Sequence, residues 1–599
     1  MSTRSRSEIA EQHTWNLNPL FATREAWQST ADSLEPLIAK LEKHRGTLAQ
    51  SAATLAAALT DLFNVRRNLE RVYTFAQHSH DIDLTDPVGS ELSDRATGLH
   101  SKFSQASSFF EPEILSLPAP RRAELLQEPS LKPYRRYLEL IFRNEPHTLS
   151  AAEEQILAGA QEVLGTTERV FGQLNNSDLT FEPITVEGKS TAVTHGSFLS
   201  LLRHRDRSVR SDLWTAYYSS YDRHRHTFAA ILASAVKRDL FLARSKRHGS
   251  ARAAALFPDV VPEAVYDNLV STVREGIQPL HQYWSVRKAS LGLPEQRLFD
   301  TYVPLIEKAE RKFSFEEGCD LIVNSCRPLG EEYCEVLKRG LTQERWVDVF
   351  ESKGKRSGAY SGGCYDSPPY ILMNYREDAL DSLFTLAHEA GHSMHSYLAR
   401  QAQPYQYSDY SILVAEVAST FNEQLLLRYL KEKFSNDNDL QRYLINYEID
   451  AMKSTIFRQV MFAEYEQLIH AHAEKGGALT LEYFRETYHQ LLGAYFGDSV
   501  TLQSLDTLEC FRIPHFYWNF YVFKYATGLS SAIVLADRVW RVEPGAQQKY
   551  LEFLKTGGAE YPITALQRAG VDLSSPTPVG LAMDHFKVLV ERFVVALGV

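Results

Sequence analysis

Cysteine is scarce in this chain of 599 residues: Cys319, Cys326, Cys334, Cys364 and Cys510, an odd number without a Cys-x-x-Cys pair. A disulfide framework is therefore not expected, and the five read as free thiols in a reducing, cytoplasmic compartment. The 24 prolines and 30 glycines are thinly spread, and no Ser/Gly-rich or Pro-rich run marks a flexible linker. One large body of closely packed subdomains is expected rather than separate modules. No stretch is apolar for long enough to span a bilayer, and the opening Met1-Ser2-Thr3-Arg4-Ser5-Arg6-Ser7 leads into polar sequence without a signal core. Positive charge is also short. A net charge of −11 argues against a nucleic-acid partner, which needs a concentrated basic face. The local cluster Arg203-His204-Arg205-Asp206-Arg207 contains an interleaved acid and reads as a solvated helix face.

What the chain does have is apolar residues at three- and four-residue spacing over most of its length, as in Leu55, Leu59, Leu62 and again in Leu426, Tyr429, Leu430, Phe434. The expected fold is mainly α. Ser150-Ala151-Ala152-Glu153 is a capping box and should open a helix. Two stretches break the helical rhythm. Residues 179–190 alternate β-branched side chains around Gly188 and predict a small hairpin, taken as the boundary between an N-terminal helical region (1–190) and a catalytic region (191–599). Residues 358–375 combine glycines, Pro368-Pro369 and a β-prone run, which predicts a mobile loop feeding a short strand.

Directly after that stretch comes His388-Glu389-Ala390-Gly391-His392. Histidines four apart on a helix project from one face, so both imidazoles can bind one zinc ion while Glu389 reaches a water beside it. Asp378 is a plausible cap, and Leu380, Leu383, Phe384, Ala387, Ala390, Gly391, Met394 and Leu398 form an apolar stripe that turns the histidines inward. Gly391 leaves room for a second element to come close. A catalytic zinc wants three protein ligands, and Glu416 is the candidate third. It stands among Val414, Ala415, Val417 and Ala418 on a helix starting near Ser411, where an unpaired carboxylate would be costly. Glu423, two turns on, can accept a hydrogen bond from the far nitrogen of a ligating histidine. The pairs His78/His80, His224/His226 and His470/His472 are two apart, point to different helix faces and read as non-ligands.

At these residues the chain resembles the thimet oligopeptidase and oligoendopeptidase F group of zinc metallopeptidases. The likeness extends over residues 354–361, 369–375, 385–396 and 415–423, and over the opening Trp15-Asn16-Leu17-Asn18-Pro19-Leu20. It implies an elongated, two-lobed helical molecule with a deep central channel and a small β-sheet beside the metal helix. It implies one zinc per chain on His388, His392 and Glu416, with Glu389 as catalytic base. From residues 512–528 it also brings His515, Tyr521 and Tyr525 as contacts of the reacting carbonyl. More than one tyrosine there can align, and read without the resemblance the segment is an aromatic-rich core helix. The implied activity is zinc-dependent hydrolysis of internal bonds in short, unfolded oligopeptides, with no membrane or nucleic-acid partner and an oligomeric state left open. The rival readings are a carboxypeptidase of related architecture and a non-cleaving peptide-binding protein. Lys355 or Arg356 is a possible clamp for a substrate carboxylate.

Overall fold

The computed structural model describes residues 4–306 and 311–598, so Met1, Ser2 and Thr3 of the polar start lie outside the described residues. Helices dominate, and the strands among the described residues are at most three residues long. Strands β1 (Ile184–Val186) and β2 (Lys189–Thr191) pair antiparallel, as the 179–190 pattern predicts. Their turn is Glu187-Gly188, both with positive φ, the conformation that a two-residue hairpin demands. Strands β3 (Val347–Asp348), β4 (Tyr360–Gly362) and β5 (Tyr370–Leu372) form a second sheet in the order β3-β5-β4. The β-prone run at 370–372 is therefore the central strand, parallel to β3 and antiparallel to β4. The edge strands are β3 and β4, and β4 is drawn from the glycine-containing part that reads as loop.

The chain divides into two compact units, each assembled from separated stretches. The division differs from a single cut at 190, and the β1–β2 hairpin falls inside the second unit. One unit comprises Met1–Pro146, Glu310–Leu430 and Leu535–Gly570. Its core gathers the helices Arg24–Lys40, Ala52–Asp81 and Pro87–Ser107 around Trp27, Leu34, Leu55, Leu59, Ala96 and Leu99, all at most 5% exposed. Ser51 and Asp86 cap two of these helices by accepting amides of the first turn, and Pro87 fills a first-turn position that needs no donor. Tyr370 and Leu372 of β5 belong to the same core. Asp348 on β3 is buried and takes an ion pair from Arg6, a second from Lys355 Nζ at 2.7 Å and the Trp15 amide at 3.2 Å. Lys355 also donates to the Phe350 carbonyl at 2.7 Å and its side chain is fully enclosed. It is a strut of the sheet and cannot serve as a substrate clamp. Arg356 pairs with Asp81 at 3.3 Å.

The other unit comprises His147–Ala309, Lys431–Val534 and Val571–Val599. The Ser150 capping box forms: the Ser150 amide donates to Glu153 at 2.9 Å and Ser150 Oγ accepts the Glu153 amide at 3.4 Å. Helices Arg207–Arg223 and Arg225–Ser245 bury Trp214, Tyr217, Tyr218, Tyr221 and Phe228. The basic cluster at 203–207 is not merely a solvated face. Asp206 caps the helix, and Arg207 and Arg210 both bind the fully buried Asp300, which would be prohibitive without such partners.

Candidate active site

His388 and His392 lie on the helix Leu380–Ala402. That helix begins after Ala379 rather than at Asp378, which accepts instead from Arg376 at 3.3 Å. Glu416 lies on the helix Ile412–Lys433, whose first turn is tied by the Leu413 amide to Ser411 Oγ at 3.3 Å. The two helices touch at Gly391. A Cβ there would come within 2.5 Å of the Ala418 carbonyl oxygen and 2.7 Å of Ser419 Cα, distances that real Cβ atoms do not reach. Glycine thus sets the helix separation, and the separation brings Glu416 to the histidines.

Glu416 Oε2 is 3.5 Å from His388 Nε2 and 3.9 Å from His392 Nε2. All three ligand atoms lie within 4.8 Å of one another, and the set is the one such cluster of three among the described residues. His388 donates from Nδ1 to Glu423 Oε1 at 2.6 Å, which turns Nε2 inward as the nitrogen that would ligate a metal. Ser419 Oγ donates to Glu416 Oε2 at 3.2 Å and fixes the carboxylate from the other side. A common centre about 2 Å from each atom requires separations of about 3.3 Å, which the Glu416–His388 distance already approaches and toward which the other pairs would draw in around a metal. Two imidazoles and one carboxylate, with His388 oriented by Glu423 and Glu416 by Ser419, fit zinc.

Electrostatics separates the two histidines. Burial opposes a proton on both, but the Glu423 hydrogen bond and the charges of Glu423, Glu389 and Glu416 hold His388 up at about 9. His392, buried and beside His388, is pushed down to about 3. A dication at the centre would take the place of the His388 proton, since the same carboxylates neutralise either. Glu389 is 7% exposed, and burial pushes its carboxyl up to about 7, with His388 opposing and Glu416 and Glu423 adding to the rise.

Strand β4 runs alongside this helix. Ser361 Oγ and Ser393 Oγ are 2.8 Å apart, and Tyr410 reaches both Ser396 Oγ at 2.7 Å and the His392 carbonyl at 3.4 Å. A cleft of about 780 Å³ opens here, with Ser361, Gly362, His392, Ser396 and Tyr410 on its wall. Sequence reasoning missed Ser361, Ser393, Ser419 and Tyr410. Only Ser419 had a local signal, one helical turn from Glu416.

His515, Tyr521 and Tyr525 belong to the other unit and form a cluster of their own. Ring centroids are 5.9 Å apart for His515 and Tyr521, 6.1 Å for His515 and Tyr525, and 5.5 Å for the tyrosines. His515 sits on a single turn, Pro514–Tyr517, before the helix Phe523–Trp540, with Pro514 at the start of the turn, where no amide donor is needed. Burial lowers the His515 pKa and favours the neutral ring.

A mainly helical body in which two histidines four apart and a glutamate from the next helix converge has the make-up of a metal-dependent hydrolase. Peptidase family M3 matches residues 200–585, and Oligopeptidase F matches residues 113–181. Over 97% of its length the chain is 43% identical to Oligopeptidase PepF of Bacillus subtilis, covering 87% of that protein. It is 40% identical to Group B oligopeptidase PepB of Streptococcus agalactiae over 98% of this chain and 97% of that one. Among solved structures, a putative peptidase from Chlamydophila abortus superposes with a TM-score of 0.93 at 36% identity, over 99% of this chain and 100% of that one. Oligoendopeptidase-F from Enterococcus faecium gives 0.74 at 34%, over 96% and 99%. The chain belongs to peptidase family M3, on its oligoendopeptidase F side. It is a metallo-endopeptidase for internal bonds of short peptides. No helix among the described residues is long and apolar enough to cross a membrane.

Proposed function

We propose that one zinc ion per chain is held by His388, His392 and Glu416, and that Glu389 is the general base for cleavage of cytoplasmic oligopeptides. The observation that carries this reading is the convergence of His388 Nε2, His392 Nε2 and Glu416 Oε2 with Glu423 behind His388. When bound, zinc lowers the pKa of a coordinated water and polarises the scissile carbonyl. Glu389 takes the proton of the attacking water and returns it to the leaving amine nitrogen. The substrate backbone adds to the open edge of β4, where the Ser361–Ser393 contact ties the strand to the histidine helix. An extended backbone is required for such pairing, which favours short unfolded peptides over folded proteins. Tyr525, with Tyr521 or His515, donates to the developing oxyanion.

Metal analysis and product mapping test the reading together. We expect about one zinc per chain, loss of metal in Glu416→Ala, and internal cleavage of a peptide of about ten residues that a chelator abolishes. Glu416→Ala retaining full zinc would remove Glu416 as a ligand. Stepwise loss of C-terminal residues would instead make the protein a carboxypeptidase, and an uncut peptide would make it a binding protein.

A further inference from the structure

Between His515 and Tyr521 the backbone takes a course that needs an explanation. Asn519 and Phe520 have φ of 40° and 55°. The other described non-glycine residues with positive φ occur singly, and only here do two stand in succession. Left-handed backbone is strained for a residue with a Cβ, above all for a bulky one, and persists only where surrounding structure over-determines it.

The surroundings do so from three sides. Glu466, fully buried on the helix Arg458–Glu474, accepts the Phe520 amide at 2.7 Å. Arg238 donates from Nη2 to the Tyr517 carbonyl at 2.9 Å and from Nε to Asp239 Oδ1 at 2.9 Å. Trp518 Nε1 donates to Glu168 at 2.9 Å. His470 packs its ring on Phe520 at 4.7 Å, with Nε2 3.3 Å from Asp239 Oδ2 and Nδ1 2.8 Å from the backbone carbonyl oxygen of Glu466 one helical turn earlier. Glu466 Oε2 is buried with no hydrogen-bond partner, an arrangement that stability alone disfavours. Residues 517, 518 and 520 are thus clamped immediately before Tyr521, by groups that are not part of the His515–Tyr521–Tyr525 cluster.

We propose that Glu466 and Arg238 are positioning residues of the peptidase reaction. They hold residues 517–520, with the left-handed pair Asn519-Phe520, in the course that presents Tyr521 and Tyr525, so that the hydroxyls are oriented before substrate arrives. The proposal rests on the reading that these tyrosines serve the oxyanion. A donor fixed in advance acts on the transition state and not on ground-state binding, so its loss falls on kcat.

The test uses full-length, zinc-loaded enzyme and one fluorogenic peptide. Glu466→Leu removes the acceptor at similar volume, whereas Glu466→Gln keeps an amide oxygen for the Phe520 amide. We expect Glu466→Leu to lower kcat about tenfold or more with KM within about twofold and zinc unchanged, and Glu466→Gln to recover kcat to within about threefold. In a Tyr525→Phe background the Glu466→Leu loss should shrink to about twofold, because the donor being positioned is gone. Wild-type kcat in Glu466→Leu, or full multiplication of the two losses, overturns the proposal. If Glu466→Leu does not fold, Arg238→Gln carries the test, with a similar fall in kcat expected and wild-type kcat overturning it. Should Tyr521→Phe and Tyr525→Phe both leave kcat unchanged, the oxyanion reading falls. If they lower it while Glu466→Leu does not, the positioning role falls alone.

Discussion

The two clusters are built in opposite ways. His388, His392 and Glu416 project from two regular helices held at a distance set by one glycine, with a single outer partner behind His388 and another behind Glu416. His515, Tyr521 and Tyr525 hang on a broken stretch with a single turn, two left-handed residues and a helix start, kept in place by Glu466, Arg238 and Glu168. Regular backbone orients side chains through its own repeat, and irregular backbone must borrow that orientation from buried neighbours. Sequence spacing therefore carries the first cluster and not the second.

If that contrast is functional, the helical cluster holds the chemistry that cannot be replaced and the loop cluster assists it. Glu389→Gln tests the sharper half. It keeps volume and leaves His388, His392 and Glu416 in place, so zinc should stay near one per chain while kcat falls by about 10³ to 10⁴. Metal analysis with steady-state kinetics on the same sample decides it, and near-normal turnover would remove Glu389 as the base.

The same contrast explains what could be read from the chain alone. Helical periodicity exposed the mainly α fold, the inward-facing histidines and the buried setting of Glu416, because each is a local pattern repeated every few residues. The hairpin at 184–191 was legible from its Glu187-Gly188 turn and flanking alternation. Sheet order was not: the strand with strong β propensity is the buried centre, and the open edge is Tyr360–Gly362, whose place depends on what pairs with β5 from both sides. Lys355 stayed open, with Arg356, as a possible clamp because Asp348 and the Phe350 carbonyl that enclose it leave no trace of burial in the local sequence. Likewise Arg207 gave no hint of Asp300, 93 residues away. Partners that chain folding brings together leave no spacing to find.

A smaller effect probes how the helical cluster is set. Gly391→Ala places a methyl 2.5 Å from the Ala418 carbonyl oxygen, which is backbone and cannot rotate away. The helices must part by about 0.5 Å or more, at a cost of about 1–3 kcal/mol, and Glu416 moves with them. The expected outcome is a lower unfolding midpoint together with weaker zinc retention in a chelator competition. A loss of stability with unchanged zinc affinity would separate helix packing from ligand placement and weaken the comparison.

The smallest effect should come from the mirror experiment in the loop. At Asn519 glycine is the residue the backbone wants, because φ of 40° costs glycine nothing, whereas an L-residue there is strained by about 1 kcal/mol. Asn519 Oδ1 is buried with no hydrogen-bond partner, so trimming the side chain forfeits no bond at that atom. Against the relieved strain stands the larger unfolded-state entropy of glycine, about 0.5–1 kcal/mol, and the two nearly cancel. Asn519→Gly should therefore leave the unfolding midpoint close to wild type, while Asn519→Ala, which keeps a Cβ in left-handed backbone that asparagine tolerates better than alanine, lowers it slightly. Hydrogen exchange over residues 517–522 reads the local consequence: if Glu466 holds the loop, the Phe520 amide stays protected in Asn519→Gly. Lost protection there would mean that the asparagine side chain, and not the buried carboxyl, keeps the tyrosine segment in shape.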